Sequence, residues 1–359
     1  MILELHNSIE LNLDTNNLTE HKLNQLSALF RLRRKGVTFI LVKISLLEKL
    51  LKLPFSPHDI SNIRMLLKDQ TQWSNWLKSL DFRIVLTTLN DAKNSDLTTQ
   101  GNFPHIHLNE FNDCPPTIIA ENIHDVKFFK YMANSYFKDE IRLRGVKVTA
   151  NEKLGGGATI NQVIQTHQEN NEGIAFCIVD SDKKHPTCTF GETAMGVKAL
   201  QLSNLTTTVF TESREVENLI PFSLMYEIFE SKHQRLKIDE YKKLREIKVS
   251  GHNPIKYIDF KKGLRKHVAT KGVCEVTKVF WSDVLQELGM VCDCNCDSAK
   301  KCTCIVIDGF GSDLLKTIVD KLKTTDFKIS EIEEHYKDEL FALCKKMMPY
   351  VIAPIETIV

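Results

Sequence analysis

Acidic side chains recur in this sequence at spacings that suit a divalent cation. Glu121 and Asp125 stand four residues apart, Asp180 and Asp182 flank Ser181, and Glu212, Glu215 and Glu217 crowd into one short segment. Hard cations such as Mg2+ and Mn2+ take oxygen ligands, and Mg2+ commonly uses one or two carboxylates with water and substrate phosphate completing its shell. A Glu closing a strand and an Asp about one helical turn further on can face the same space. In an extended tip, residues two apart project to one side, which does the same for Asp180 and Asp182. Each cluster alone also reads as ordinary solvated acids, or as helix-start acids favoured by the helix dipole. Their recurrence at successive strand ends is what points to chemistry.

These acids need a scaffold, and the pattern around them supplies one. TIIAE (117–121), VKVTA (146–150), GIAFCIVD (173–180) and TTTVF (206–210) read as strands, with an amphipathic helix over 126–137 and another from about Thr159. Strand and helix alternate at short intervals, as in a parallel sheet with crossover helices. GIAFCIVD is the most hydrophobic of the strands and belongs at the sheet centre, covered on both faces. The expected fold class is therefore α/β, with a parallel-sheet core over 117–222. Every acidic cluster then falls at the C-terminal end of a parallel strand, the edge where open α/β sheets bind ligands.

The flanking regions read differently. Residues 1–116 form a mixed α/β region, with strands in VTFILVK (37–43) and FRIVLTTL (82–89) and a helix capped by Ser56 with Pro57 at its first position. The polar segment 90–116 ends in Pro115-Pro116 and is taken as a domain boundary. Residues 223–359 read as mainly helical, interrupted by a cysteine-rich stretch and by CIVIDGFG (304–311).

Composition bounds the function. The chain has 359 residues, with 47 Lys and Arg against 46 Asp and Glu, so attraction to a polyanion must come from local patches. The N-terminal sequence lacks a secretory pattern and no run approaches the roughly eighteen apolar residues of a membrane span, so a cytoplasmic protein with no membrane association is expected. Ten cysteines in such a chain suggest reduced thiols or a metal rather than a disulfide framework. Cys292, Cys294, Cys296, Cys302 and Cys304 crowd into VCDCNCDSAKKCTC, a candidate structural Zn2+ site, although the spacing is not a standard CxxC pair. A reduced loop or a redox role are the alternatives. His105-Ile106-His107 reads as a strand or loop rather than a ligand pair, and His124 as a helix-start residue without a catalytic role.

Glu121 closing one strand, followed by a strand ending in Asp180-Ser181-Asp182, resembles the TOPRIM domain of topoisomerases, primases and OLD-family nucleases, with a Rossmann-like core over 117–222. The pairing of Glu121 with Asp125, and Glu215 and Glu217 in the REVEN segment, look more like the OLD nucleases. Asn122 stands where many TOPRIM members have Gly, and Asn tolerates the left-handed turn that position needs. The resemblance implies Mg2+ or Mn2+ held by Glu121, Asp125, Asp180, Asp182, Glu215 and Glu217, and a two-metal endonuclease reaction on nucleic acid, DNA before RNA. It also implies a catalytic lysine in a Lys-Gly setting, here Lys262 before Gly263, although a run of charge also reads as a solvated face. Lys183 and Arg214 are placed to offset charge on phosphoryl oxygens. Gly156 and Gly157 either approach a phosphate or form a permissive loop. No Walker motif is present, so an ATPase or sensor would be a separate protein, as in bacterial anti-phage defence systems; a homo-oligomer is left open. A primase-like enzyme and a non-catalytic TOPRIM-like regulatory or binding subunit are the competing readings.

Overall fold

The computed structural model describes residues 1–11, 19–88, 103–111, 114–139, 142, 145–270, 274–290, 304–325, 327–329 and 332–356. The N-terminal region holds β1 (Ile2–Leu5), β2 (Phe39–Leu41), β3 (Ile84–Thr87) and β4 (His105–His107) in a parallel sheet of order β2-β1-β3-β4. The expected helix runs Pro57–Lys78, and Ser56 Oγ accepts the Asp59 N–H at 3.2 Å, as its N-cap sequence requires. The N-terminal sheet reaches into the polar segment 90–116, because His105–His107 pairs in register with β3.

The second sheet comprises β5 (Thr117–Ala120), β7 (Asn151–Leu154), β8 (Ala175–Val179) and β9 (Thr206–Phe210), all parallel, in the order β7-β5-β8-β9. The intervening strand β6 (Val146–Val148) belongs elsewhere. It pairs antiparallel with the C-terminal β12 (Ile352–Pro354), while β10 (Gly263–Arg265) and β11 (Ile305–Asp308) form a separate antiparallel pair. The expectation of a core strand at 146–150 is therefore corrected: Asn151–Leu154 is the strand beside β5. Its side chains are largely exposed, so hydrophobic periodicity gave no signal. An edge strand is held through its backbone and tolerates polar side chains.

The central position of β8 follows from its composition. Its five residues are all buried and divide by the pleat. Phe176 and Ile178 join Ile118 and Ala120 on the face covered by the helix Ile123–Asp139. Ala175, Cys177 and Val179 join Ile119 on the face covered by the helix Ile160–Glu169 and by Ala194 and Val197. The apolar cluster on the first face extends without interruption from Met1 to Ile352, so all three sequence regions share one core. Among the described residues no helix is long and apolar enough to cross a membrane.

Candidate active site

In the order β7-β5-β8-β9, the chain steps outward in one direction from β5 to β7 and in the other from β8 to β9. The reversal lies between β5 and β8, which is where doubly wound sheets leave a crevice at their C-terminal edge. Glu121 directly follows β5 and Asp180 directly follows β8. Asp125 sits in the first turn of the helix Ile123–Asp139, where its Oδ2 accepts the Asn122 N–H at 2.8 Å. Beyond β9, Glu215 caps the 3-10 turn Val216–Leu219, with Asn218 Oδ1 accepting the Glu215 N–H at 2.9 Å. Asp180 Oδ1 accepts the Val216 N–H at 3.0 Å and so ties this turn to the end of β8.

A cleft of about 480 Å3 opens at this edge, lined by Glu121, Asp125, Asp180, Glu217 and Lys261, with Gly156 and Gly157 on one side and Ser312, Asp313 and Lys316 on another. The acids are withdrawn from water: Asp125, Asp180, Glu215 and Glu217 are all less than a tenth exposed. Lys261 Nζ lies 3.0 Å from Glu217 Oε1 and 3.5 Å from Glu215 Oε2. Arg214 reaches Glu215 at 3.5 Å and Asp259 at 3.1 Å.

Two cations do not balance this many carboxylates, and the proton affinities follow. Burial, then the Asp182 charge, push Glu121 up to about 7. Burial, then Glu217, push Asp125 up to about 7. Asp180 is raised well above the usual carboxylate range by burial and then by Asp125 and Glu121, and Glu215 is raised by burial. For Lys261 burial acts downward, but Glu217 and Glu215 outweigh it and the net shift is upward.

Among the described residues, Glu121 Oε1 is buried and has no hydrogen-bond partner, and Glu215 Oε2 has the Lys261 ion pair but no hydrogen bond. A buried acceptor left in this condition is costly. An all-oxygen donor set with open, desolvated oxygens and an excess of negative charge fits a hard divalent cation. Among the described residues, no group of three or more His, Cys, Asp or Glu is already closed around a metal position. The carboxylates are thus gathered at one cleft without being drawn onto a single point.

The remaining expected residues are placed as follows. Asp182 has a left-handed backbone, φ 53°, and its N–H donates to Arg214 O at 2.9 Å. The tip after β8 is therefore not extended, and Asp182 stands beside the cluster rather than among the residues lining the cleft. Its charge still acts on Glu121. The Lys262 side chain is 72% exposed and 3.9 Å from Asp259, whereas Lys261 stands in the carboxylate cluster. The cause is a tight turn in which Asp259 accepts the Lys262 N–H on Oδ1 and the Gly263 N–H on its carbonyl, both at 2.7 Å, so that adjacent side chains diverge. Lys183 Nζ lies 4.8 Å over the Phe190 ring and does not line the cleft. Gly156 and Gly157 have left-handed φ values of 75° and 61°, and the Gly157 N–H is committed to the Glu121 carbonyl at 3.0 Å. Cys304 precedes β11, whereas Cys292, Cys294, Cys296 and Cys302 lie outside the described residues.

Sequence reasoning also missed a support for the third acidic segment. Glu339, on the helix Glu334–Val351, is buried and accepts the Glu212 and Ser213 N–H groups on Oε1 at 2.7 and 2.9 Å and the Ser213 hydroxyl on Oε2 at 2.6 Å. A lone Glu on an amphipathic helix carries no signal for that role.

What fold and site define together is a class: a parallel α/β protein with a desolvated carboxylate cleft at the order reversal of its sheet. Comparison with protein-family models, with curated proteins and with solved structures found no match for this chain.

Proposed function

We propose that the chain is a nuclease that hydrolyses phosphodiester bonds with Mg2+ or Mn2+, on a TOPRIM-like, Rossmann-like core over 117–222. The observation that carries this reading is the convergence of Glu121, Asp125, Asp180 and Glu217 on one cleft, with Lys261 as the cation among them. These four are the candidate ligands, with Glu215 and Asp182 beside them. A bound divalent cation supplies Lewis-acid stabilisation of phosphoryl oxygens and a more acidic water. The chain's own groups do the rest. Lys261 places a fixed ammonium against the carboxylates, where it can offset charge gathering on a transferred phosphoryl group. Glu121 Oε1, buried and with no hydrogen-bond partner among the described residues, is an open acceptor, and Glu121 either binds the metal or handles a proton during attack on phosphorus.

A second reading, a TOPRIM-like binding or regulatory subunit without turnover, is favoured by the lack of a closed metal-holding group among the described residues. One experiment separates the two: the purified full chain is incubated with plasmid, single-stranded DNA and RNA, with Mg2+, Mn2+ or EDTA. Cleavage that needs metal and disappears in Asp180→Asn supports the nuclease. Nucleic-acid binding with no cleavage under either metal supports the binding subunit and ends the catalytic reading.

A further inference from the structure

The N-terminal sheet has the same order of parallel strands as the catalytic one, with its reversal between β1 and β3. Against this strand pair lies a second cavity of about 310 Å3, and no residue lining it lines the carboxylate cleft. Its floor follows from register. Glu4 on β1 stands opposite Val85 on β3, and Val85 opposite His105 on β4. His6 lies two residues beyond Glu4 and lines the same cavity.

The charge here is opposite in kind to that of the carboxylate cleft. Among the described residues, Lys43, Lys78 and Arg83 line the cavity against a single carboxylate, Glu4. Arg83 is almost fully buried, is paired with Glu4 at 2.5 Å, and lies 4.1 Å over the Phe103 ring. That pairing leaves the ammonium groups of Lys43 and Lys78, both exposed at the rim, with no carboxylate opposite them among the described residues lining the cavity. The two imidazoles add hydrogen-bonding capacity. His6 Nδ1 accepts the Ser8 N–H at 3.1 Å, which puts the proton of the neutral ring on Nε2 and makes that atom a donor. His105 Nδ1 is buried with no hydrogen-bond partner among the described residues. A buried polar atom in that state is costly until something bonds to it.

We propose that this cavity is a second ligand site, one that takes a phosphate group. Lys43 and Lys78 supply the charge, and His6 and His105 hydrogen-bond the oxygens. A phosphate presents three strong acceptor oxygens and up to two negative charges, which suits two ammonium groups and ring N–H donors converging from separate segments. The cavity is larger than a phosphate ion, and the half-buried Phe103 gives it an apolar face on which an organic body can rest.

The test is calorimetric titration of the full chain in EDTA, with inorganic phosphate, adenosine monophosphate and adenosine as separate ligands. Saturable binding of inorganic phosphate or of the nucleotide is expected, with adenosine at least tenfold weaker than the nucleotide. Tighter binding of the nucleotide identifies an ester as the source of the phosphate, and equal binding identifies free phosphate. Lys43 and Lys78 are exposed, so the double variant K43A/K78A should fold normally and lose tenfold or more in affinity, while Asp180→Asn should bind as the parent does. The proposal is overturned if neither phosphate compound binds saturably, if adenosine binds as tightly as its phosphate, if K43A/K78A binds unchanged, or if Asp180→Asn abolishes binding.

Discussion

Replacing Glu121 by Gln should make the metal-free protein more stable while removing its response to metal. Glu121 is half-buried beside Asp182, Glu215 and other acids, and burial with their charge raises its pKa from 4.5 to about 7. A shift of that size corresponds to about 3 kcal/mol. The native state binds this proton more tightly than the unfolded chain does. The associated stability is therefore fully present below about pH 4.5 and is lost as pH rises through about 7. Gln keeps the shape and an acceptor for the Asp180 N–H but carries no charge at any pH. In EDTA at pH 8, the variant should exceed the parent by up to about 3 kcal/mol, seen as a rise of several degrees in Tm. Near pH 4.5 the two should converge. Adding Mg2+ or Mn2+ at pH 8 should raise the Tm of the parent and leave the variant nearly unmoved. The assay is thermal denaturation over this pH range, with and without metal. A variant equal to or less stable than the parent at pH 8 in EDTA would refute the argument, because Glu121 would then not be an uncompensated buried charge.

Other outcomes are expected on the same grounds. Lys261→Ala should lower cleavage at least tenfold and cost about 3 kcal/mol of stability at pH 8 by leaving Glu217 unpaired, whereas the exposed Lys262→Ala should remain within twofold of the parent; paired cleavage rates and melting curves check both. Glu339→Gln should destabilise the fold by about 1–3 kcal/mol and reduce cleavage, since it weakens the bonds holding residues 212–213 ahead of Glu215 and Glu217; denaturant unfolding and cleavage rates measure the two effects. Elemental analysis of protein purified without chelators should find about one zinc per chain, lost when the cysteines between Cys292 and Cys304 are replaced by Ser.

What could be read in the sequence was whatever announces itself locally. Ser56-Pro57 marks a helix start whose cap forms as expected, and the uninterrupted apolar run of β8 marks a strand covered on both faces. Glu121 and Asp180 were legible because a strand end fixes where the next residue must stand. Asn151–Leu154 was not legible, since an edge strand with solvent-facing side chains leaves no periodic pattern. The choice between Lys261 and Lys262 depends on the direction of a turn closed by Asp259, and that direction comes from contacts rather than from local sequence. The position of Asp182 depends on a related feature: its left-handed backbone ends the extension on which the two-residue rule relies. The part played by Glu339 depends on a helix more than a hundred residues away, beyond the reach of any spacing argument.

The central claim is that these carboxylates hold a divalent cation in the cleft between the ends of β5 and β8. Anomalous diffraction from Mn2+-soaked crystals tests it most directly. The account predicts a manganese peak within bonding distance of Asp180 and at least one of Glu121, Asp125 and Glu217, absent from crystals of Asp180→Asn. No peak at that cleft under saturating Mn2+, or manganese bound only elsewhere on the protein, would contradict it.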